Sequence, residues 1–306
     1  MRAVVLGSAA GGGFPQWNCA CRLCCLARSA DPRTPARTQC SVAISADGDR
    51  WVLLNAAPEL SAQIACTPAL HPKGQGRHSP IAAVVLTSAE IDAIAGLLSL
   101  REGHAFSIYA GLDVLDVLAA NPIFLALPDA RVPRRGLPPG EDTVLTDGLG
   151  QPLGLTVRPF VVPGKIPLFA ETGADPGRSD GGSTVGLEIR SETSSLFFVP
   201  GCAAMTDAVR QRLRGAALVL FDGTLWDDKE MIDAGLTAKT GTRMGHMSIS
   251  GPEGVISAFA DLGIRRRVFI HLNNTNPALM TGSPERSTLE KQGWEVAFDG
   301  MELLTW

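Results

Sequence analysis

A single α/β domain, built as a sandwich of two β-sheets flanked by helices, is the fold this sequence predicts. Two observations lead to it. Short apolar, β-branched runs recur from the first residues to the last, and segments of helical spacing are interleaved with them in both halves of the chain. Each half then has the strands for one sheet and helices to cover its outer face, as a layered sandwich requires. No repeat of roughly 20–50 residues and no low-complexity tract breaks the pattern, so residues 1–306 read as one domain.

In the first half the strand-like runs are Ala3–Leu6, Ser41–Ser45, Trp51–Asn55, Ala82–Thr87 and Ser107–Ala110. In the second they are Leu155–Val162, Thr184–Ile189, Ser195–Val199, Ala217–Phe221, Arg267–Leu272 and Trp294–Phe298. Helical spacing appears at Glu90–Arg101, Leu112–Ala120, Thr206–Leu213, Gly254–Leu262 and Pro284–Lys291. Thr206 with Asp207 and Ser283 with Pro284 supply helix-start signals. Two Pro/Gly-rich stretches, His71–Pro80 and Gly164–Gly182, are too short for domain linkers and read as loops over a site.

Composition narrows the function classes. With 45% hydrophobic and 19% charged residues the chain belongs among soluble globular proteins. Lys+Arg 27 against Asp+Glu 31 gives a net charge of -4, which supplies no broad basic face for a nucleic-acid backbone. No stretch approaches the roughly 18 consecutive apolar residues of a membrane span. Met1–Leu6 is too short for a signal-peptide core and runs into Gly11-Gly12-Gly13 and Pro15. It reads as a buried first strand, with the cytoplasm as the expected location.

Of seven cysteines, Cys19, Cys21, Cys24 and Cys25 crowd into one short segment while Cys40, Cys66 and Cys202 are scattered. A chain of this size does not need disulfides to supplement its core. Thiolates separated by one and two residues can close on one ion from a tight loop, and a zinc ion would take a fourth ligand from elsewhere.

Four other stretches put polar groups at the ends of apolar runs. Leu86–Leu97 leads from a strand into Ser88, Glu90 and Asp92 at a helix start, where the acids can reach a metal or simply favour the helix dipole. Leu218–Thr224 carries Asp222, Val268–Asn274 carries His271, and Gly245–Ser250 carries His246 in a loop ahead of a helix. His71, His78 and His104 lie in or near loops and take no role. Singly, a strand-end acid or histidine is more often structural than catalytic.

Together these stretches resemble the metallo-β-lactamase superfamily, whose signature is a strand ending in Thr-His-x-His-x-Asp-His before a helix with a Gly-Leu pair. Thr87, Asp92, Gly96 and Leu97 keep that pattern, whereas Ser88, Glu90 and Ala93 stand where its three histidines would be. Pro163-Gly164-Lys165 matches a later Pro-Gly-His element with Lys165 in place of the histidine; Asp222 matches the bridging acid and His271 the last histidine. At most one ion's worth of ligands survives. The chain more specifically resembles the pyrroloquinoline quinone biosynthesis protein B family, through Gly11-Gly12-Gly13-Phe14-Pro15-Gln16-Trp17-Asn18-Cys19-x-Cys21, Ala89-Glu90-Ile91-Asp92 with Leu100-Arg101-Glu102-Gly103, Gly245-His246-Met247-Ser248, and His271-Leu272-Asn273-Asn274-Thr275-Asn276-Pro277.

That resemblance implies an αββα sandwich of two mixed sheets, a structural Zn2+ on Cys19, Cys21 and Cys24, and a role in making the redox cofactor pyrroloquinoline quinone (PQQ). In a related phosphodiesterase branch the fourth zinc ligand is a histidine where Asn274 stands here, so Asn274, Cys25 and a water are the candidates. The resemblance further implies a single non-haem Fe2+ that uses dioxygen to hydroxylate the tyrosine ring of a small precursor-derived peptide of the Glu-Tyr type. Glu90, Asp92, Asp222 and His271 form a mixed carboxylate–imidazole set that suits Fe2+ or Mn2+ better than Zn2+. Lys165 offers a cation for an anionic oxygen species or a substrate carboxylate, or a plain salt bridge to a nearby acid. His246 is a general acid or base, an orienting partner of His271, or itself a ligand. The competing readings are a degenerate metal-dependent hydrolase and a non-catalytic carrier of PQQ or its precursor. A homodimer is the oligomer expected.

Overall fold

Period-two alternation decides the architecture. In β1 (Arg2–Gly7), Ala3 and Val5 pack into one core while Val4 and Leu6 pack into another. In β13 (Leu218–Asp222), Leu218 and Leu220 share the first of these cores, and Val219 and Phe221 face a third. Strands buried on both faces need a layer on each side. In the computed structural model, which describes residues 1–165, 178–179 and 184–304, two mixed seven-stranded sheets meet that need.

The first sheet joins β1 to β2 (Ser41–Ser45), β3 (Trp51–Leu54), β4 (Ile81–Val85), β5 (Ser107–Ala110) and β6 (Arg134–Gly136). The second joins β7 (Thr143–Thr146), β8 (Pro152–Val161), β11 (Val185–Arg190), β12 (Ser195–Val199), β13, β14 (Arg266–Ile270) and β15 (Trp294–Val296). β9 (Gly164–Lys165) and β10 (Arg178–Ser179) form a short ribbon of their own. In both sheets one part is antiparallel and the other, β3–β6 or β12–β15, is parallel. One expectation is corrected: the halves of the chain do not divide cleanly between the sheets. β16 (Glu302–Leu304) crosses back to pair with β1, covering an edge that would otherwise be left open.

Val5, Val42, Ile44, Leu54 and Val85 of the first sheet meet Leu187, Ile189, Phe198, Leu220 and Ile270 of the second in the central core. Outside the first sheet lie α2 (Leu60–Ala65), α3 (Ile91–Ile94) and α4 (Leu112–Ala120), packed on Trp51, Leu53 and Val84. Outside the second lie α1 (Arg22–Arg28), α5 (Asp207–Leu213), α7 (Val255–Ala258) and α8 (Pro284–Lys291). Trp294 stacks on Phe269 at 3.9 Å between ring centres. Removing an aromatic ring from such a layer costs about 3–5 kcal/mol.

Thr206 and Ser283 cap their helices as expected, accepting from Val209 N and Arg286 N. Glu90–Arg101 is not one α-helix. Four residues of α3 give way to a 3-10 turn at Ala95–Leu100, because the chain presses on the Ala56–Ala57 backbone and a Cβ on Gly96 would lie 2.1 Å from Ala57 O. Gly254–Leu262 likewise shortens to α7, and the Cys segment holds the unexpected α1. His71–Pro80 is no cover for the site: it leads into the N-terminal end of β4 and lines a different cavity. Most of Gly164–Gly182 lies outside the described residues.

Candidate metal centres and active-site cavity

Asp222 closes β13 and His271 follows β14, so parallel pairing of the two strands sets both side chains at the same end of the sandwich. His271 has φ of 61°, a left-handed backbone uncommon outside glycine that takes its side chain out of the strand alternation. His246 arrives after Gly245, whose φ of 90° ends a 3-10 turn at Thr242–Met244. Gly245 also packs on Lys165, where a Cβ would come within 3.1 Å of the lysine Cγ.

Thr224 organises the cluster. Its Oγ1 lies 2.7 Å from Asp222 Oδ1, 3.1 Å from His246 Nδ1 and 2.9 Å from His271 Nδ1. The carboxylate and the His271 carbonyl, 3.0 Å away, only accept, so the single hydroxyl proton goes to one of them, Asp222 being the nearer, and the imidazoles donate from Nδ1. His246 Nδ1 also donates to Asp222 Oδ2 at 2.7 Å, and that oxygen accepts from Cys202 N at 2.9 Å. His271 Nε2 is thereby left facing Asp92 Oδ2 at 3.0 Å. Two acceptors this close require a cation between them, a proton or a metal ion, and this donor set fits either. Burial would lower the His271 imidazole, but the Asp92 hydrogen bond and charge, with Asp222 and Glu90, hold it above its ordinary value. Burial would raise Asp92 and Asp222; the two histidines outweigh it and keep both below the usual carboxylate range. One donor atom each from Asp222, His246 and His271 falls within 4.8 Å of the others.

The expected residues therefore converge, in two ranks. Asp92 and His271 face each other across the candidate ion position. Asp222, fully buried, is engaged by hydrogen bonds that orient His246 and support His271 through Thr224. Glu90 and Asp92 do not cap α3 with their side chains. Glu90 pairs instead with Lys165, Oε1 to Nζ at 3.4 Å; burial still raises its carboxyl, only partly offset by that lysine. Glu90, Asp92, Lys165, Thr224, His246 and His271 line a cavity of about 480 Å³ that reaches from Gly11 and Gln39 to Met231 and Asn273, with Asp222 buried behind them.

The Cys segment forms the second centre. Cys19, Cys21 and Cys24 bring their sulfurs within 4.8 Å of one another. Asn274 Nδ2 is turned toward Cys19, Cys24 and Cys21 Sγ at 3.2, 3.4 and 3.7 Å. Rotating that carboxamide would present Oδ1 to the same point. Cys25 turns outward, its Sγ on Ala20 O, and does not join the three. Burial pushes the Cys24 thiol up to about 12. For Cys21 burial is outweighed by hydrogen bonds from the Cys24 backbone, Cys19, Cys24 and Asn274, so it lies below its ordinary value. Three sulfurs around one point, those of Cys19 and Cys24 buried and that of Cys21 half-buried, are a donor set that fits a tetrahedral zinc site. Arg28 ties the loop by donating to the carbonyls of Cys19, Gln16 and Trp17.

The sequence reading passed over Thr224, two residues beyond Asp222 in the same Asp-Gly-Thr turn, where a short hydroxyl side chain readily bonds a neighbouring acid. It also passed over Cys40, which lines the cavity floor as a buried thiol, and Glu230, for which no sequence signal existed. Among the described residues no helix is long and apolar enough to cross a membrane.

Residues 50–272 match the β-lactamase superfamily domain. Coenzyme PQQ synthesis protein B of Gluconacetobacter diazotrophicus is 54% identical over 303 residues, with 99% of each chain covered. That of Bradyrhizobium diazoefficiens is 49% identical over 310 residues, again with 99% of each covered. The crystal structure of Zn2+-bound PqqB from Methylobacterium extorquens superposes with a TM-score of 0.95 at 45% identity, covering 99% of this chain and 100% of that one. A diphosphatase of the PhnP family shares the fold, with a TM-score of 0.68 at 21% identity over 99% of this chain and 97% of that one. With family-level identity along the whole chain and the same two sheets beneath it, this chain belongs to the coenzyme PQQ synthesis protein B family of the β-lactamase superfamily.

Proposed function

We propose that this chain is an enzyme of PQQ biosynthesis that hydroxylates the tyrosine ring of a small precursor-derived peptide, with dioxygen as co-substrate. The observation that carries the reading is the donor set. Asp92, His271 and their supporting groups offer a mixed carboxylate–imidazole set that would suit one cation, the pattern associated with ferrous oxygenases. Ser88, Glu90 and Ala93 remove the histidines a two-zinc hydrolase needs to activate a bridging water. A ferrous ion at this position would supply the activation of dioxygen. Asp92 and His271 would hold it, with His246 beside them. Thr224 and Asp222 keep the imidazoles in the tautomer that leaves Nε2 as a lone pair. Lys165 balances Glu90 at the cavity wall. In the Cys loop, Zn2+ on Cys19, Cys21 and Cys24, completed by Asn274 or a water, would serve as a structural pin.

The test is mass spectrometry of a Glu-Tyr peptide incubated with anaerobically prepared, Fe2+-loaded protein and then exposed to air. Added oxygen that vanishes in Asp92→Ala and His271→Ala is expected. Unchanged peptide with iron bound and the fold intact would overturn the reading and leave a carrier in its place.

A further inference from the structure

Glu230 begins α6 (Glu230–Asp233), outside the metal cluster, yet it reaches the cavity through a chain of hydrogen bonds whose direction is fixed once its carboxylate is ionised. Its Oε2 accepts from Trp226 N at 2.7 Å, and its Oε1 accepts from Thr275 Oγ1. An ionised carboxylate can only accept, so the Thr275 hydroxyl proton is committed to Glu230 and Thr275 Oγ1 must accept from its other neighbour. That neighbour is Asn273, whose Nδ2 lies 2.6 Å away. The backbone holds the same residue from the other side, with Asn273 N donating to Thr224 O at 3.0 Å. Asn273 is buried and lines the cavity, and its Oδ1 accepts no hydrogen bond from the described residues.

We infer that Asn273 presents its carboxamide oxygen to the cavity as a fixed acceptor that selects an N–H donor on the bound molecule, and that Glu230, acting through Thr275, is the positioning residue that holds it so. A carboxamide left to itself offers oxygen or nitrogen by a half-turn; here the half-turn would set an Asn273 oxygen against a Thr275 oxygen with no proton to share. A fixed acceptor rejects a ligand lacking the matching donor more sharply than an adaptable one does, because the unmatched polar atom stays desolvated. The identity of the donor as a peptide N–H rests on the proposed hydroxylase reading; the orientation of Asn273 does not.

Two measurements at pH 8.5, where Glu230 is ionised, test the two parts separately. The first uses the whole protein without peptide and follows the Asn273 side-chain amide by ¹⁵N NMR. Slow exchange of its NH₂ protons is expected in the wild type and in Thr275→Ser, and fast exchange in Glu230→Gln, whose own NH₂ would reverse the chain and turn the Asn273 NH₂ into the cavity. Equal exchange in wild type and Glu230→Gln would overturn the inference. The second is calorimetric binding of a Glu-Tyr peptide. A loss of about tenfold is expected for Asn273→Leu and for Glu230→Gln, with no further loss in the double variant. Additive losses, or unchanged affinity in Asn273→Leu, would overturn the selecting role. Failure of the wild type to bind the peptide while the NMR result holds would sink the proposed substrate and leave the acceptor in place.

Discussion

In the Cys loop, the sulfurs of Cys19, Cys21 and Cys24 come from one short segment and the first turn of α1. At the cavity, Asp92 and His271 are 179 positions apart in the chain, and Asp222 and His246 arrive on two further elements. The first cluster needs little of the fold to form; the second exists only if both sheets are assembled in register. They meet at one turn, where His271 serves the cavity and Asn274, three residues later, faces the cysteines. A zinc ion bound in the loop would therefore stiffen the turn that presents His271, while a metal bound at the cavity would do little for the loop. The coupling should be read more strongly in stability from the cysteine side and in activity from the cavity side.

The largest effect expected is on activity. Asp92→Ala or His271→Ala should lower hydroxylation by about 10³-fold or more, the scale set by several kcal/mol of metal-dependent barrier lowering. Metal analysis should show the cavity metal gone and one zinc retained. Loss of both metals from either variant would erase the distinction between the centres.

Next in size is the loop. Cys24→Ser should release zinc and lower the unfolding free energy by about 4 kcal/mol, the stabilisation from a ligand present at about 1,000 times its dissociation constant. Denaturant unfolding with and without a chelator measures it. A variant as stable as the wild type and indifferent to chelator would mean that the loop is pinned by Arg28 and packing alone.

Glu230 probes the turn between the centres. Burial raises its carboxyl from 4.5 to about 7. The folded protein thus holds this proton more tightly than the unfolded chain, so the stabilising contribution is complete below pH 4.5 and fades as pH rises through 7. A shift of this size corresponds to about 3 kcal/mol. Glu230→Gln cannot ionise, so its unfolding free energy should fall less than that of the wild type between pH 4.5 and 8. Parallel pH profiles would show that Glu230 already ionises normally in the folded state.

How far each centre was legible in the sequence follows from the same contrast. Cys19, Cys21 and Cys24 could be read from spacing, because the ligands are neighbours in the chain. Asp222 and His271 stood out only as polar ends of apolar runs, and a family resemblance was needed to bring them together. The strands were legible because short apolar runs such as Leu218-Val219-Leu220-Phe221 read as strands buried on both faces. The break in Glu90–Arg101 was not, since it depends on the distant Ala56–Ala57 backbone meeting Gly96. The bond of Thr224 to Asp222 lies within a local turn, but its contact with His271 and that of Glu230 with Thr275 cross between elements whose proximity no local pattern records.

The smallest expected effect concerns Lys165, which joins the cavity side without belonging to the ion-holding pair. Its contact with Glu90 is partly exposed, at 29% and 26% of the two side chains, and such a pair contributes about 0–1 kcal/mol. Lys165→Met should therefore change the unfolding free energy by less than about 1 kcal/mol. If the ammonium also receives a substrate carboxylate, KM should rise about tenfold with kcat nearly unchanged, the mark of an interaction equal in ground and transition states. The double variant with Glu90→Gln separates the two roles. Where Lys165 anchors substrate, removing the Glu90 charge leaves the raised KM as it was, and this is the outcome expected. Recovery of the wild-type KM would instead show that Lys165 only shields the substrate from Glu90, placing the lysine among the groups that balance the cavity's acids rather than those that bind.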